Sequence, residues 1–169
     1  LASGQNREPS FLKLNPRGHI PVLDHDGRVL WESQAILVYM ARQAQLRDWF
    51  PDAIHDQVAV MQWLAVAGNE CLFGLSRARA VLLFNRPWDM AQSQALGITG
   101  LKILDARLSS HEWLATDRPT VADVACYPYA ALAPEGDISL DPFANVRRWI
   151  GAIQKLPGYI SMPGIEPQA

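Results

Sequence analysis

The residues with the clearest capacity for chemistry are an acidic residue and a hydroxyl side by side, Glu32 and Ser33. They follow a β-prone run at residues 28–31 and precede a segment with helical periodicity. A hydroxyl and free backbone N–H groups at the start of a helix favour an anion such as a carboxylate. The residues alone favour a simpler interpretation, in which Ser33 caps the helix and Glu32 is an ordinary acidic neighbour. The anion site stays open as the alternative.

A second candidate is the dipeptide Ile20-Pro21, in the other β-prone run. Proline donates no hydrogen bond to a sheet ladder, so Pro21 suits the start of a strand or a cis bond that turns the backbone toward a site. With a cis bond, Ile20 could offer its N–H and C=O to an extended peptide, as in strand addition. Only about 5–6% of X–Pro bonds in folded proteins are cis, so a trans bond without a binding role is the alternative.

A third motif, Thr120-Val121-Ala122-Asp123, has the form of a capping box with Asp in place of the usual Glu or Gln. We expect the Thr120 hydroxyl to accept from the Asp123 N–H, and the Asp123 carboxylate to accept from the Thr120 N–H. The predicted role is structural, and its loss should cost about 0.5–2 kcal/mol of stability.

Histidines and cysteines give no further site. The four histidines have no mutual spacing typical of a metal site or a catalytic base, so we interpret each as a surface residue: His19, His25, His55 and His111. Cys71 and Cys126 lie far apart in the sequence and suggest neither a disulfide framework nor a metal site. We expect both to be packed in helices, in a reducing compartment.

The elements that must position these residues begin with a short helix over 8–14, with Pro9 in its first turn. Two β-prone runs, 20–23 and 28–31, flank Asp26-Gly27 and predict a hairpin. A helix then runs from Ser33 to near Gln43.

The remainder of the chain predicts helices. The first covers 54–83, where Gly68 and Gly74 indicate a kink or close packing. Later helices are expected over 90–108, after Pro119-Thr120, and from Asp141-Pro142, with Asp141 as the cap.

Composition excludes several classes of protein. The 169 residues carry a formal net charge of −2, which excludes the basic footprint of a dedicated nucleic-acid binder. With 49% hydrophobic and 19% charged residues, the chain is globular rather than disordered. No unbroken apolar run approaches the ~18 residues of a membrane span, so no membrane association is expected.

Taken together, the motifs resemble the soluble glutathione S-transferase family, and its bacterial members in the order of helices. Three stretches carry the resemblance: FLKLNPRGHIPVL at 11–23, LWESQAILVYMAR at 30–42 and PTVADVACYPY at 119–129. The resemblance implies an α/β thioredoxin-like N-terminal domain, incomplete here, over 1–44. A linker over 45–51 and an all-α C-terminal helical domain over 52–169 would follow.

The resemblance also implies roles for individual residues. Ile20-Pro21 would be cis, and the Ile20 backbone would pair with the cysteinyl unit of glutathione. Glu32 and Ser33 would hold the γ-glutamyl end. His19 would lie near the glycyl carboxylate, and Asn6 falls where some related sequences place another contact to that carboxylate. No metal is implied.

The chain departs from the family at its start. Family members begin with a strand, a helix and a second strand, and the residue that activates the glutathione thiol lies near the end of the first strand. Leu1 falls after this unit, which takes roughly 30 or more residues. We therefore expect the thiol-activating residue upstream of Leu1, name no catalytic residue, and hypothesise that the natural protein is longer.

The expected function is that of a cytoplasmic, dimeric detoxification enzyme that transfers the glutathione thiol to hydrophobic electrophiles. Conjugation, isomerisation, dehalogenation and disulfide reduction all remain open. Trp31 and Tyr39 would lie at the dimer interface or be buried within one subunit. The alternative functions are a non-catalytic binding or scaffold protein of the same fold, and a helical ligand-binding domain with a vestigial α/β part.

Overall fold

The computed structural model describes residues 4–165 and divides the chain into two compact units. The first unit ends at Arg47 and the second begins at Asp48, inside the segment predicted as a linker.

In the first unit, a 3₁₀ turn at Gln5–Arg7 precedes helix α1 at Pro9–Leu14. Strands β1 (Val22–His25) and β2 (Arg28–Trp31) then form the predicted antiparallel hairpin, followed by helix α2 (Ser33–Gln43).

The hairpin turn has a specific backbone requirement. Asp26 and Gly27 both have positive φ, 53° and 77°, as the tight two-residue hairpin turns with matching twist require. The Asp24 carboxylate accepts a hydrogen bond from the Gly27 N–H at 3.0 Å. The turn sets the register in which Val22 lies opposite Trp31.

The second unit is helical. The long helix predicted over 54–83 is continuous but has three parts: α3 (Ile54–Val66), a π-helical segment (Ala67–Ser76) and α4 (Arg77–Phe84). Helices α5 (Met90–Leu108), α6 (Val121–Ala131) and α7 (Ala144–Gln154) complete it, with a 3₁₀ turn at Ala133–Gly136. Its core includes fully buried side chains from α3, α5, α7 and the π-helical segment: Val60, Leu75, Leu101, Leu104, Val146, Trp149 and Ile150.

Gly74 lies where the π-helical segment meets α5 at very close range. A Cβ atom on Gly74 would lie 2.2 Å from the backbone nitrogen of Gly97 and 2.5 Å from its Cα. The close packing expected of this glycine is therefore confirmed.

The predicted start of the last helix is wrong. Helix α7 begins at Ala144, and its N-cap residue, Phe143, offers no side-chain hydrogen bond. Asp105 of α5 supplies the cap instead: its Oδ1 accepts from the N–H groups of Asn145 at 2.9 Å and Val146 at 3.2 Å. Asp141, the expected cap, accepts from the Ser139 hydroxyl at 3.1 Å. A local pattern cannot reveal a carboxylate from another helix.

Within residues 4–165, the continuous helix over 54–84 is long and apolar enough to cross a membrane by length and composition. The sequence predicted no membrane span because only unbroken apolar runs were taken into account. Core helices of soluble proteins meet the same criterion, and the buried residues Val60, Leu64 and Cys71 of this helix lie in the core of their unit.

Candidate functional site

The hairpin brings together the two candidate binding motifs of the first unit, Ile20-Pro21 and Glu32-Ser33. Val22 and Trp31 are opposite each other at its open end, and a directly opposed pair has Cα atoms about 4.5–5.5 Å apart. The residues just outside the ladder, Pro21 and Glu32, are therefore neighbours. Two motifs separated in the sequence thus flank one edge of the first unit.

The Ile20–Pro21 peptide bond is cis, which confirms that prediction. Ile20 is 60% exposed and lies outside the strand pair, which begins at Val22. Among residues 4–165, its backbone N–H and C=O have no hydrogen-bond partner. Both groups are available to an extended ligand.

The turn before Ile20 is held by the side chain of Asn15, which is only 1% exposed. Its Nδ2 donates to the carbonyl oxygen of His19 at 2.8 Å, and its Oδ1 accepts from the N–H of Arg17 at 3.0 Å. Its backbone carbonyl accepts from the Gly18 N–H at 2.9 Å. Asn15 therefore fixes the path of the chain into the candidate site.

Gly18 completes this turn and is irreplaceable there for two reasons. Its φ is +62°, and a Cβ would lie 2.8 Å from the carbonyl oxygen of Asn6. The Nδ2 of Asn6 donates to the Gly18 carbonyl at 2.6 Å. Asn6 thus stabilises the turn, and its predicted contact with a glycyl carboxylate stays a prediction. His19 is exposed beside Ile20, and its predicted position near the glycyl carboxylate stays a prediction.

Ser33 is the first residue of α2, so its predicted role as the N-cap residue is wrong. The cap position is Glu32, and no side chain caps this helix. The first helical bond from this end runs from the Ile36 N–H to the Glu32 carbonyl at 3.0 Å. The N–H groups at the first three helical positions, 33–35, therefore have no acceptor within the helix and favour an anion.

Glu32 has an unusual backbone, with φ 73° and ψ 117°. Positive φ is unfavourable for a residue with a Cβ, and such residues cluster at functional sites. The Glu32 carboxylate forms an ion pair with the guanidinium of Arg17, and both side chains are partly exposed. Arg17 and Asn15 were not predicted as site residues, although both lie in the stretch 11–23 that carries the family resemblance.

In the second unit, Thr120 and Asp123 form the predicted capping box at the start of α6. The Asp123 carboxylate accepts from the Thr120 N–H at 2.9 Å, and the Thr120 hydroxyl accepts from the Ala122 N–H at 3.3 Å. Asp123 also accepts from the Leu114 N–H at 3.1 Å and the Trp149 Nε1–H at 2.9 Å. Burial raises the pKa of Asp123, and these hydrogen bonds oppose the rise.

Both cysteines are free and fully buried, as expected for packed residues. The Cys126 thiol donates to the Trp63 carbonyl at 3.6 Å. The neighbouring Cys71 thiol and burial raise the pKa of Cys126, which makes it a poor nucleophile.

His25 lies at the surface as predicted, with 40% of its side chain exposed, and it also shares a hydrogen bond with the Tyr39 hydroxyl at 2.7 Å. Its ring packs edge-on against Tyr39, a contact that sequence spacing could not show. The part of the chain that the structure describes holds no group of three or more His, Cys, Asp or Glu side chains placed for a metal.

An apolar cleft of about 380 Å³ lies within the second unit. It is lined by residues of α6 and of the segment after α7, among them Val124, Tyr127, Pro128, Leu156, Ile160 and Met162. The hydroxyls of Tyr127 and Tyr159 form a hydrogen bond of 2.5 Å beside it.

Comparison with known proteins gives a consistent result. Residues 1–43 match the N-terminal domain of glutathione S-transferases, and residues 99–157 match the C-terminal domain. Glutathione S-transferase 2 of Anopheles gambiae is 29% identical, over 94% of this chain and 77% of that protein. A disulfide-bond oxidoreductase of Escherichia coli (strain K12) is 28% identical, over 93% and 77%.

The fold is similar as well. The crystal structure of a glutathione S-transferase from Pseudomonas fluorescens superposes with a TM-score of 0.88 at 27% identity, covering 95% of this chain and 81% of that one.

Proposed function

The chain belongs to the glutathione S-transferase family, and on that premise we propose that its first unit binds glutathione for thiol transfer to electrophilic small molecules. One observation carries the proposal: the open end of the hairpin brings the free Ile20 backbone next to Glu32 and the start of α2. A peptide backbone and a charged amino-acid group can then be bound side by side.

The γ-glutamyl end of glutathione carries an ammonium and a carboxylate on one carbon. The carboxylate suits the Ser33 hydroxyl and the free N–H groups at the start of α2. The ammonium suits the Glu32 carboxylate, which is partly exposed and therefore accessible. Glu32 and Ser33 together are complementary to this zwitterion.

The cysteinyl unit of glutathione is an extended dipeptide segment. We assign it to the N–H and C=O of Ile20, which would bind it as an added strand. The glycyl carboxylate then lies toward His19, with Asn6 as a further contact. This order of contacts follows the chain from the Asn15 turn to the hairpin.

Bound glutathione supplies the thiol whose thiolate attacks an electrophile. The apolar cleft of the second unit supports a hydrophobic co-substrate. The reaction subtype stays open, because relatives of similar identity include both a transferase and a disulfide-bond oxidoreductase.

We also propose a homodimer that works in the cytoplasm in detoxification. Exposed apolar side chains on one face of α3 support an interface between two copies: Ile54, Val58 and Met61. On the first unit, Trp31 and Met40 are 39% and 54% exposed and could contribute. Sedimentation equilibrium of the purified protein tests the dimer.

The test of glutathione binding is titration calorimetry on the wild type and on the double variant E32A/S33A. We expect a loss of affinity of at least tenfold, because the ammonium and the carboxylate both lose partners. The matched control is E8A/S10A, which removes the same two residue types from exposed positions of the first unit. The control should bind like the wild type and unfold at the same temperature.

Equal affinity in E32A/S33A and the wild type would refute the assigned roles, and a wild type that binds no glutathione would refute the function. Turnover of a chloronitroarene with glutathione then separates the two functional classes. Turnover supports the enzyme, whereas binding without turnover supports the non-catalytic alternative.

A further inference from the structure

Arg17 connects the two halves of the candidate site. It belongs to the turn that leads into Ile20, and its guanidinium forms an ion pair with Glu32, which lies fifteen positions further along the chain, beyond the hairpin. Nothing in the local sequence pattern around either residue indicates this contact.

The base of the Arg17 side chain is fixed. Its backbone N–H donates to Asn15 Oδ1 at 3.0 Å, and Asn15 is buried. Glu32 is held at the other end by an uncommon backbone conformation, with φ 73°. Both ends of the ion pair therefore start from defined backbone positions.

The ion pair engages only one oxygen of the Glu32 carboxylate, Oε1. Oε2 has no hydrogen-bond partner among residues 4–165 and can accept from a ligand. A partly exposed glutamate without such a partner would sample several rotamers, and binding would have to order it. Arg17 removes part of that cost in advance.

We propose that Arg17 is a positioning residue that orients the Glu32 carboxylate toward the ammonium of a γ-glutamyl peptide, and thereby sets affinity for that end of the ligand. The inference rests on the proposed glutathione-binding function. An isolated surface ion pair adds little to folding stability, so the contribution of this pair is expected in binding.

The test measures dissociation constants for two ligands, glutathione and its desamino analogue, which lacks the γ-glutamyl ammonium. The proteins are the wild type, R17A, R17K, E32A and R17A/E32A. Arg28, exposed at the start of β2, provides the matched control R28A, which removes the same charge from the same unit.

We expect R17A to weaken glutathione binding about fivefold, R17K to recover part of the loss, and R28A to stay within about twofold of the wild type. R17A should change the affinity for the desamino analogue by less than about twofold, because Glu32 then has no ammonium to bind. In the E32A background, R17A should have no further effect.

Three results would overturn the inference and leave the proposed function intact. They are unchanged glutathione affinity in R17A, tighter binding in R17A, or equal losses for both ligands, which would mean that Arg17 only supports the turn. A wild type that binds neither ligand would overturn the proposed function and this inference together.

Discussion

The Asn15 side chain donates to the carbonyl oxygen of His19 at 2.8 Å, across a turn whose next residues are Ile20 and Pro21. Its second hydrogen bond, from the N–H of Arg17 at 3.0 Å, uses the amide oxygen. The buried Asn15 amide therefore fixes two residues. One is His19, which leads into the free backbone groups of Ile20, and the other is Arg17, which orients Glu32. The candidate site depends on a residue that need not touch the ligand.

Replacement of Asn15 by alanine should impair both stability and binding. N15A leaves the Arg17 N–H and the His19 carbonyl without their partner, which should lower the free energy of unfolding by about 1–3 kcal/mol. Urea denaturation measures this loss, and calorimetry should show weaker glutathione binding. N69A, at an exposed asparagine of the π-helical segment, is the control and should change neither quantity.

Glu32 should tolerate glycine better than alanine. Its φ of 73° is unfavourable for alanine but not for glycine, so E32G should be more stable than E32A by about 1 kcal/mol. Both variants lose the carboxylate and should bind glutathione equally poorly. Thermal unfolding tests the difference in stability.

Met40, in the body of α2 and 54% exposed, provides the comparison of opposite sign. There, M40G should be less stable than M40A by about 1 kcal/mol, since glycine weakens a helix interior. If E32G and E32A also followed that order, the backbone at Glu32 would carry no strain.

Asp123 should contribute less to the free energy of unfolding as pH rises. Burial raises the pKa of its carboxyl above 3.8 in the folded protein. Between the unfolded and folded pKa values, the folded state binds the proton more strongly, so the contribution of Asp123 to the free energy of unfolding falls as pH rises. This contribution is largest below pH 3.8 and is lost as pH passes the folded pKa.

The variant D123N lacks this titration and loses an acceptor, which should cost about 2 kcal/mol. Urea denaturation from pH 4 to pH 7 gives the free energy of unfolding of the wild type and of D123N. In the difference between the two values, the contributions of the other acidic groups cancel. We expect this difference to be largest at pH 4. A difference that grows with pH would mean that the hydrogen bonds outweigh burial.

Gly74 should be the glycine least tolerant of a methyl group. In G74A the added Cβ would meet the Gly97 backbone at 2.2 Å, and backbone atoms cannot move aside without separating the helices. We expect a loss of at least about 2–3 kcal/mol by chemical denaturation. In G100A the nearest atom to the added Cβ would be the Glu70 Cβ, at 3.0 Å, and the nearest backbone atoms would lie in ordinary contact at 3.6 and 3.8 Å, so the loss should be smaller.

The sequence by itself determined the features that depend on near neighbours. The Asp26-Gly27 turn predicts the hairpin because few residue pairs allow two consecutive positive φ values. The spacing of Thr120 and Asp123 predicts a capping box because both groups lie within one helical turn. Glu32 and Ser33 are adjacent in the chain, so the junction of strand and helix was visible as a candidate site.

The tertiary structure alone decided the contacts between distant residues. Asp105 replaces Asp141 as the cap of α7, Arg17 pairs with Glu32, and Gly74 packs on Gly97. Each needs two segments at a specific separation and angle. That geometry comes from packing of the whole unit, because short-range propensities give no information on which distant groups will meet.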